Sequence, residues 1–337
     1  MPMNDSPDTF LRRLWGRFKR PRVMLALVPV ILLSLAVLPL RWDVRVDVFH
    51  HFVVFDITQS MNVKDMRLSG DRVSRLAFAK HQVREALPVL PCGSTVSVGV
   101  FTGHRSFVLF KPVEICQHFN DISDAIAEID WRMAWEARSE VSKGIFSAIK
   151  VAPQLDDTPM SILFLTDGHE APPLSDQYRP RYKGDGPVLG NLLGIGDDLP
   201  VPIPMYGFTG KFMGYWSADQ VLQVDTYSLG RPTGGNEQMV GVDQQDLNAR
   251  IAAGTEHLSS LKVDHLQALA GETGMHYTRP VLADDFREAL TDPALASSEI
   301  KRRSPAPWLA ASALLLVLGM LLVPWWRSIG HSRRATH

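Results

Sequence analysis

The chain has 337 residues, with 35 Lys+Arg against 36 Asp+Glu and 45% hydrophobic content. That is enough for one large domain or two modest ones around an apolar core. A net charge of -1 excludes the strongly basic field of a general nucleic-acid binder. Two cysteines exclude a disulfide-rich scaffold and a four-cysteine zinc site.

Residues 23–40 carry no charge, and Ser34 is their only polar side chain. At 1.5 Å per residue this is about the length that crosses roughly 30 Å of hydrocarbon. Trp42 follows, where an aromatic belt sits. The 22 residues ahead of it are long for a signal peptide, and 35–42 (LAVLPLRW) has no small-x-small cleavage site. The segment therefore reads as an uncleaved signal anchor. Arg12, Arg13, Arg17, Lys19, Arg20 and Arg22 precede it, whereas Arg41 and Arg45 follow. That asymmetry places the tail 1–22 in the cytoplasm.

The stretch 46–55 (VDVFHHFVVF) is β-branched and aromatic, and a strand there ends in Asp56. His50 and His51 point to opposite faces of it and cannot chelate together. Residues 71–87 place Val73, Leu76, Ala77, Val83 and Leu87 on one helical face. Residues 94–101 and 106–110 read as a β-hairpin. With Phe101 opposite Ser106, position 92 lies opposite 115, which brings Cys92 beside Cys116 as a possible disulfide. Helices are expected over 121–129 and 140–151.

The continuous apolar run 160–165 (MSILFL) suits a strand covered on both faces and leads into Thr166-Asp167-Gly168. Beyond it, 171–255 is rich in Gly and Pro, with one recognisable strand at 188–195. A helix is expected over 258–270, ended by Gly271, then a strand at 275–278 and a helix at 283–290. Strands alternating with helices mean an α/β fold, a doubly wound, mostly parallel sheet with one antiparallel edge strand. Residues 308–326 form a second apolar segment with Trp308, Trp325 and Trp326 at its ends. Two spans with an inside N-terminus would put 41–307 in the periplasm and 327–337 back in the cytoplasm. The expected location is the inner membrane.

In an open parallel sheet, ligands bind at the carboxyl ends of the strands. Two core strands end there in aspartates, Asp56 and Asp167. Asp56 is followed by hydroxyls at Thr58 and Ser60. Carboxylates with neutral hydroxyls make an all-oxygen set, which suits Mg²⁺ or Ca²⁺ rather than Zn²⁺ or Cu²⁺.

These residues resemble the von Willebrand factor type A (VWA) domain and its metal-ion-dependent adhesion site, whose motif is D-x-S-x-S, a distant Thr and a later Asp. Asp56 and Ser60 match, Thr58 replaces a serine but keeps the oxygen, and Asp167 matches the final Asp. For the distant Thr, 139–145 (SEVSKGI) fits the bacterial pattern, giving Ser139, with Ser142 as the alternative. The resemblance covers about 48–295 and fails over 199–255. That stretch reads as an insertion on the ligand face, because Tyr206, Phe208, Phe212, Tyr215 and Trp216 are too aromatic for a flexible linker. The string FDITQSMNV (55–63), with the flanking segments, looks like the membrane-bound Mxa-type VWA proteins of methanol dehydrogenase operons, and more loosely like the Bat proteins.

The resemblance implies a membrane-tethered binding module, not an enzyme. A partner's acidic residue would complete its cation, and its role would lie in assembly or metal loading of a periplasmic dehydrogenase, alongside sister VWA proteins. Two other readings stay open. One is a metal-dependent hydrolase with His169 as general base, although His169 and Glu170 are expected as solvent-facing loop residues. The other is an inert scaffold in which Thr58 and Ser60 merely cap a turn.

Overall fold

The computed structural model describes residues 21–134, 138–173, 179–207, 209–221, 223 and 254–332. The expectations for the tail 1–20, for Phe208 and for 224–253 fall outside these residues. In chain order the elements are α1 (Pro21–Val37), β1 (Trp42–Asp56), a 3-10 turn (Gln59–Asn62), β2 (Met66–Leu68), β3 (Asp71–Val73), α2 (Arg75–Ala86), β4 (Thr95–Thr102) and β5 (Arg105–Glu114). There follow α3 (Ile115–Ala127), α4 (Val141–Val151), β6 (Ser161–Thr166), β7 (Gly190–Gly194), β8 (Val201–Pro202), β9 (Pro204–Tyr206) and β10 (Phe212–Tyr215). The last are β11 (Leu258–Ser259), α5 (Val263–Thr273), β12 (His276–Thr278), α6 (Ala283–Leu290), β13 (Ala296–Arg303) and α7 (Ala306–Ser332).

The central sheet runs β12-β7-β6-β1-β4-β5, and β13 also pairs with β1. From β12 through β4 neighbouring strands are parallel, while β5 is antiparallel to β4. This is the doubly wound α/β sheet expected, with its antiparallel edge strand.

The period-2 alternation of β1 divides the core between two faces. Phe49, Val53 and Phe55 pack with Phe78 and Val83 of α2, Ile122 and Ile126 of α3, and Phe286 of α6. Phe52 and Val54 face Val141 and Ile145 of α4 and Leu266 and Leu269 of α5. With both faces covered, β6 and β7 are buried throughout, as parallel strands require.

Two helices are shorter than their hydrophobic spacing predicts. Residues 66–73 form a hairpin turned by Ser69 (φ 51) and Gly70 (φ 98), so α2 starts only at Arg75. Ser74 caps it, its side chain accepting from the Ala77 amide. Leu258–Ser259 pairs with β8, which delays α5 to Val263. That helix ends at left-handed Gly274 (φ 77) rather than at Gly271.

The β4–β5 hairpin has Phe101 opposite Ser106. Below it, Cys92 and Cys116 are joined in a disulfide with a Cα–Cα distance of 5.3 Å.

The chain divides into two compact units, Asp47–Ser298 and a smaller one of Met1–Val46 with Glu299–His337. In the smaller unit α1 and α7 lie side by side. Among the described residues no helix is long and apolar enough to cross a membrane, so the spans expected at 23–40 and 308–326 are not shown. The described part of the first helix runs from Pro21 to Val37, a rise of about 26 Å. The described side chains of α7, from Ala306 to Leu322, cover a similar length.

Candidate metal centre

Parallel pairing sets Phe55 of β1 opposite Leu165 of β6, so the residues that follow, Asp56 and Thr166-Asp167, emerge side by side. The first loop is pinned from beneath by Ile57, Met61 and Val63, all buried, and by the Ile57 amide donating to Phe101 O (3.1 Å). With alternate positions anchored in the core, Thr58 and Ser60 are left facing the strand ends. The second loop turns at Gly168 (φ 74), where a Cβ would come within 2.9 Å of Leu266. Only glycine meets both conditions without strain.

Five oxygen-bearing side chains from the strand ends and loops, Asp56, Thr58, Ser60, Thr166 and Asp167, are buried. Thr58 Oγ1 donates to Asp56 Oδ1 (2.7 Å), and Thr166 Oγ1 donates to Asp56 Oδ2 (2.6 Å). The Ser60 hydroxyl helps to hold the Asp167 carboxyl down, and Asp167 Oδ1 accepts from the His169 amide (3.0 Å). Ser139 reaches the same place from the third loop. Its backbone exchanges both hydrogen bonds with Ala171, and its hydroxyl donates to His169 O (2.7 Å). Ser142, the alternative for this position, is bound instead to Glu170 Oε1 through its amide and hydroxyl (both 2.8 Å).

Sequence reasoning missed Arg75. Fully buried at the first position of α2, its Nη1 donates to Asp167 Oδ2 (2.5 Å) and Ser259 Oγ (2.6 Å), and its Nε and Nη2 grip Asp65. Room for it comes from Gly196 (φ 140), where a Cβ would lie 2.8 Å from Arg75 Nε. The arginine pulls the two aspartates apart electrostatically. Burial raises Asp167, but Arg75 together with His169 and its amide outweighs this and holds it below the usual carboxylate range. Asp56 has no such counter-ion, and burial together with the Asp167 charge pushes it up to about 7.

A cavity of about 80 Å³ opens beside these hydroxyls, with Thr58, Ser60, Ser139, His169, Trp216 and Glu256 among its walls. His169 is thus buried, 2% exposed, and not the solvent-facing residue expected. Burial holds its pKa below the ordinary histidine value. Neither of its ring nitrogens makes a hydrogen bond, although Nε2 lies 3.5 Å from Glu256 Oε2. Trp216 Nε1 is buried without a partner too. Such groups cost about 1–3 kcal/mol each. Ile203 and Trp216, which belong to the 199–255 insertion, line this cavity, so the insertion borders the site.

The donor set fits a hard divalent cation. Thr58 and Ser139 commit their protons to protein acceptors, which leaves their oxygen lone pairs free for a cation. Thr58 Oγ1 and Ser60 Oγ are 3.4 Å apart, the separation of neighbouring oxygens on a shell of radius about 2.4 Å. Two buried carboxylates against one arginine also leave negative charge that a cation would neutralise.

No protein-family model matches the chain, and no curated protein matches it. Solved structures similar to it include an aerotolerance-related membrane protein from Bacteroides fragilis NCTC 9343, at 15% identity over 73% of this chain and 98% of that one, with a TM-score of 0.45. BatB from Bacteroides thetaiotaomicron is similar at 16% identity, over 72% and 96% of the two chains, with a TM-score of 0.45. A von Willebrand factor type A protein from Catenulispora acidiphila is similar at 9% identity, over 76% and 46%, with a TM-score of 0.39.

Proposed function

We propose that this chain is a protein-binding module of the VWA kind that works through a divalent cation, Mg²⁺ or Ca²⁺, held by Asp56, Thr58, Ser60, Ser139 and Asp167. The observation that carries this reading is the arrangement of hydroxyls between two buried carboxylates at the ends of adjacent parallel strands. When bound, the ion supplies a positive point that attracts a carboxylate of a protein partner. The protein's own groups orient the hydroxyl oxygens, keep the site dry and leave one side open to the cavity. Binding, not catalysis, is the role proposed.

The module is membrane-associated through its apolar ends, where Ile31, Leu315 and Leu321 expose more than half their surface. Its larger unit faces the periplasm, an oxidising compartment consistent with the Cys92–Cys116 disulfide. Alkaline phosphatase fused near residue 150 should be active, and an inactive fusion would refute that placement. The client we favour is a periplasmic, methanol-type dehydrogenase, at whose assembly or metal loading the module acts with sister VWA proteins. Deleting the gene should leave the client polypeptide present but poor in metal and activity, and Asp56→Ala should reproduce this. Fully metallated client in the deletion strain would end the maturation role.

A hydrolase remains the rival, because His169 lines the cavity beside the hydroxyls. It requires cation-dependent cleavage of small esters or phosphates that His169→Ala abolishes.

A further inference from the structure

The cavity beside the hydroxyls holds polar groups that the cation reading leaves unused. Trp216 Nε1 is buried and makes no hydrogen bond, and the same is true of both ring nitrogens of the 2%-exposed His169. Both residues border the same space as Thr58, Ser60 and Ser139. Buried donors without partners are rare in folded proteins and call for an explanation at the place where they occur. Trp216 is not there by accident of a loose loop. Its amide donates to Ile203 O (3.0 Å), and the turn after it is closed by Gln220, whose amide donates to Ser217 O (3.0 Å) and whose side chain accepts from the Ser217 amide (3.1 Å).

An indole N–H only donates, so whatever meets it must present an acceptor. A cavity of about 80 Å³ is well above the roughly 10–15 Å³ that one water needs, and small enough to admit a side-chain head group rather than a whole ligand. Resting on the cation reading above, we propose that Trp216 and His169 form a subsite for the carboxylate head of an acidic side chain on the partner, whose second oxygen accepts from the Trp216 Nε1–H while the first meets the cation.

The charges around the cavity make this binding conditional. Asp56, Asp167 and Glu256 bring three carboxylates to the cavity against Lys262 and an Arg75 that Asp65 already grips, and Glu256 closes the wall next to His169. A free anion is repelled by that balance and admitted once a divalent cation has offset it. The subsite therefore reads an acidic residue only in the metal-loaded protein, and the insertion that carries Trp216 is the part that sets partner preference.

The test uses the full chain in detergent with ¹⁵N-indole-labelled tryptophan, Mg²⁺ as the metal and acetate or glutarate as the carboxylate probe. Trp216→Phe identifies the resonance and keeps the ring. Acetate should move the Trp216 N–H resonance downfield with Mg²⁺ and leave it unchanged with EDTA. Trp216→Phe should bind Mg²⁺ as the parent does and acetate about tenfold more weakly. Mg²⁺ binding with acetate uptake that ignores Trp216 would overturn the subsite and leave the cation reading standing. A response to acetamide but not acetate would overturn it in favour of a neutral ligand. Absence of Mg²⁺ binding in the parent would overturn both.

Discussion

Arg75 Nη1 lies 2.5 Å from Asp167 Oδ2, and both side chains are completely buried. The candidate cation site is therefore built around an internal cation that already compensates one of its two aspartates. Removing one partner of a buried pair strands the other charge. Arg75→Met should destabilise the protein by about 3–5 kcal/mol in urea unfolding, and Arg75→Lys should also fall short, since an ammonium cannot reproduce the fork to Asp65 and Asp167. Combining Arg75→Met with Asp167→Asn should cost less than the two single changes summed. Simple additivity would mean that the contact carries no coupling.

The cation itself should announce its site through stability. Mg²⁺ or Ca²⁺ at about a hundredfold above its dissociation constant should stabilise the fold by about 2.7 kcal/mol. Asp56→Ala should abolish that gain. An unchanged metal response in this variant would leave Thr58 and Ser60 as no more than turn caps.

The positions of Asp56 and Asp167 were legible from sequence because each closes an apolar run that two-sided burial demands. Arg75 was not, since an arginine four residues into a helical pattern reads as a solvated charge. Its burial depends on Asp65, Gly196 and Ser259, which sequence spacing does not bring together. His169 was misplaced for a related reason. The insertion brings Trp216 to the same cavity, and nothing in a Pro- and Gly-rich stretch states where it will fold. The hairpin 66–73 escaped because Ser69 takes positive φ, a conformation more usual for Gly or Asn.

Two buried groups should oppose each other as pH changes. His51 donates from Nε2 to Leu290 O (2.8 Å) and is bonded through Nδ1 to Ser161 Oγ (2.7 Å), and burial lowers its pKa to about 4. Between pH 4 and 6.5 the unfolded chain binds the extra proton, so stability falls as pH falls, by about 3 kcal/mol in all. Asp56, raised to about 7, acts in reverse. Between about pH 4 and 7 the folded state holds the extra proton, and stability falls as pH rises. In the metal-free parent the slopes largely offset. Asp56→Asn should unmask the histidine and be less stable at pH 5 than at pH 7, as read by urea midpoints. A profile as flat as the parent's would refute the assignment.

The Cys92–Cys116 disulfide sits at the amino end of β4, the opposite end of the sheet from Asp56, which pairs with Phe101. Replacing both cysteines with serine should cost about 2–4 kcal/mol and leave Mg²⁺ affinity as it was. Alkylation of the isolated protein without reductant should label neither cysteine. Two labels would show that the bond does not form.

Glycines in helices usually lose about 1 kcal/mol relative to alanine, and α4 and α5 offer a contrast in what replaces that loss. A Cβ on Gly144 would come within 2.3 Å of ring carbons of the buried Phe101, whereas one on Gly271 would meet nothing. Overpacking of this kind costs about 1–3 kcal/mol, which cancels or exceeds the propensity gain. Phe101 also accepts the Ile57 amide through its carbonyl, so pushing it aside loosens the loop that presents Thr58 and Ser60. Gly144→Ala should therefore lower both stability and the response to Mg²⁺, while Gly271→Ala should gain up to about 1 kcal/mol with the response intact. If the two variants behave alike, the Phe101 contact does not couple α4 to the site.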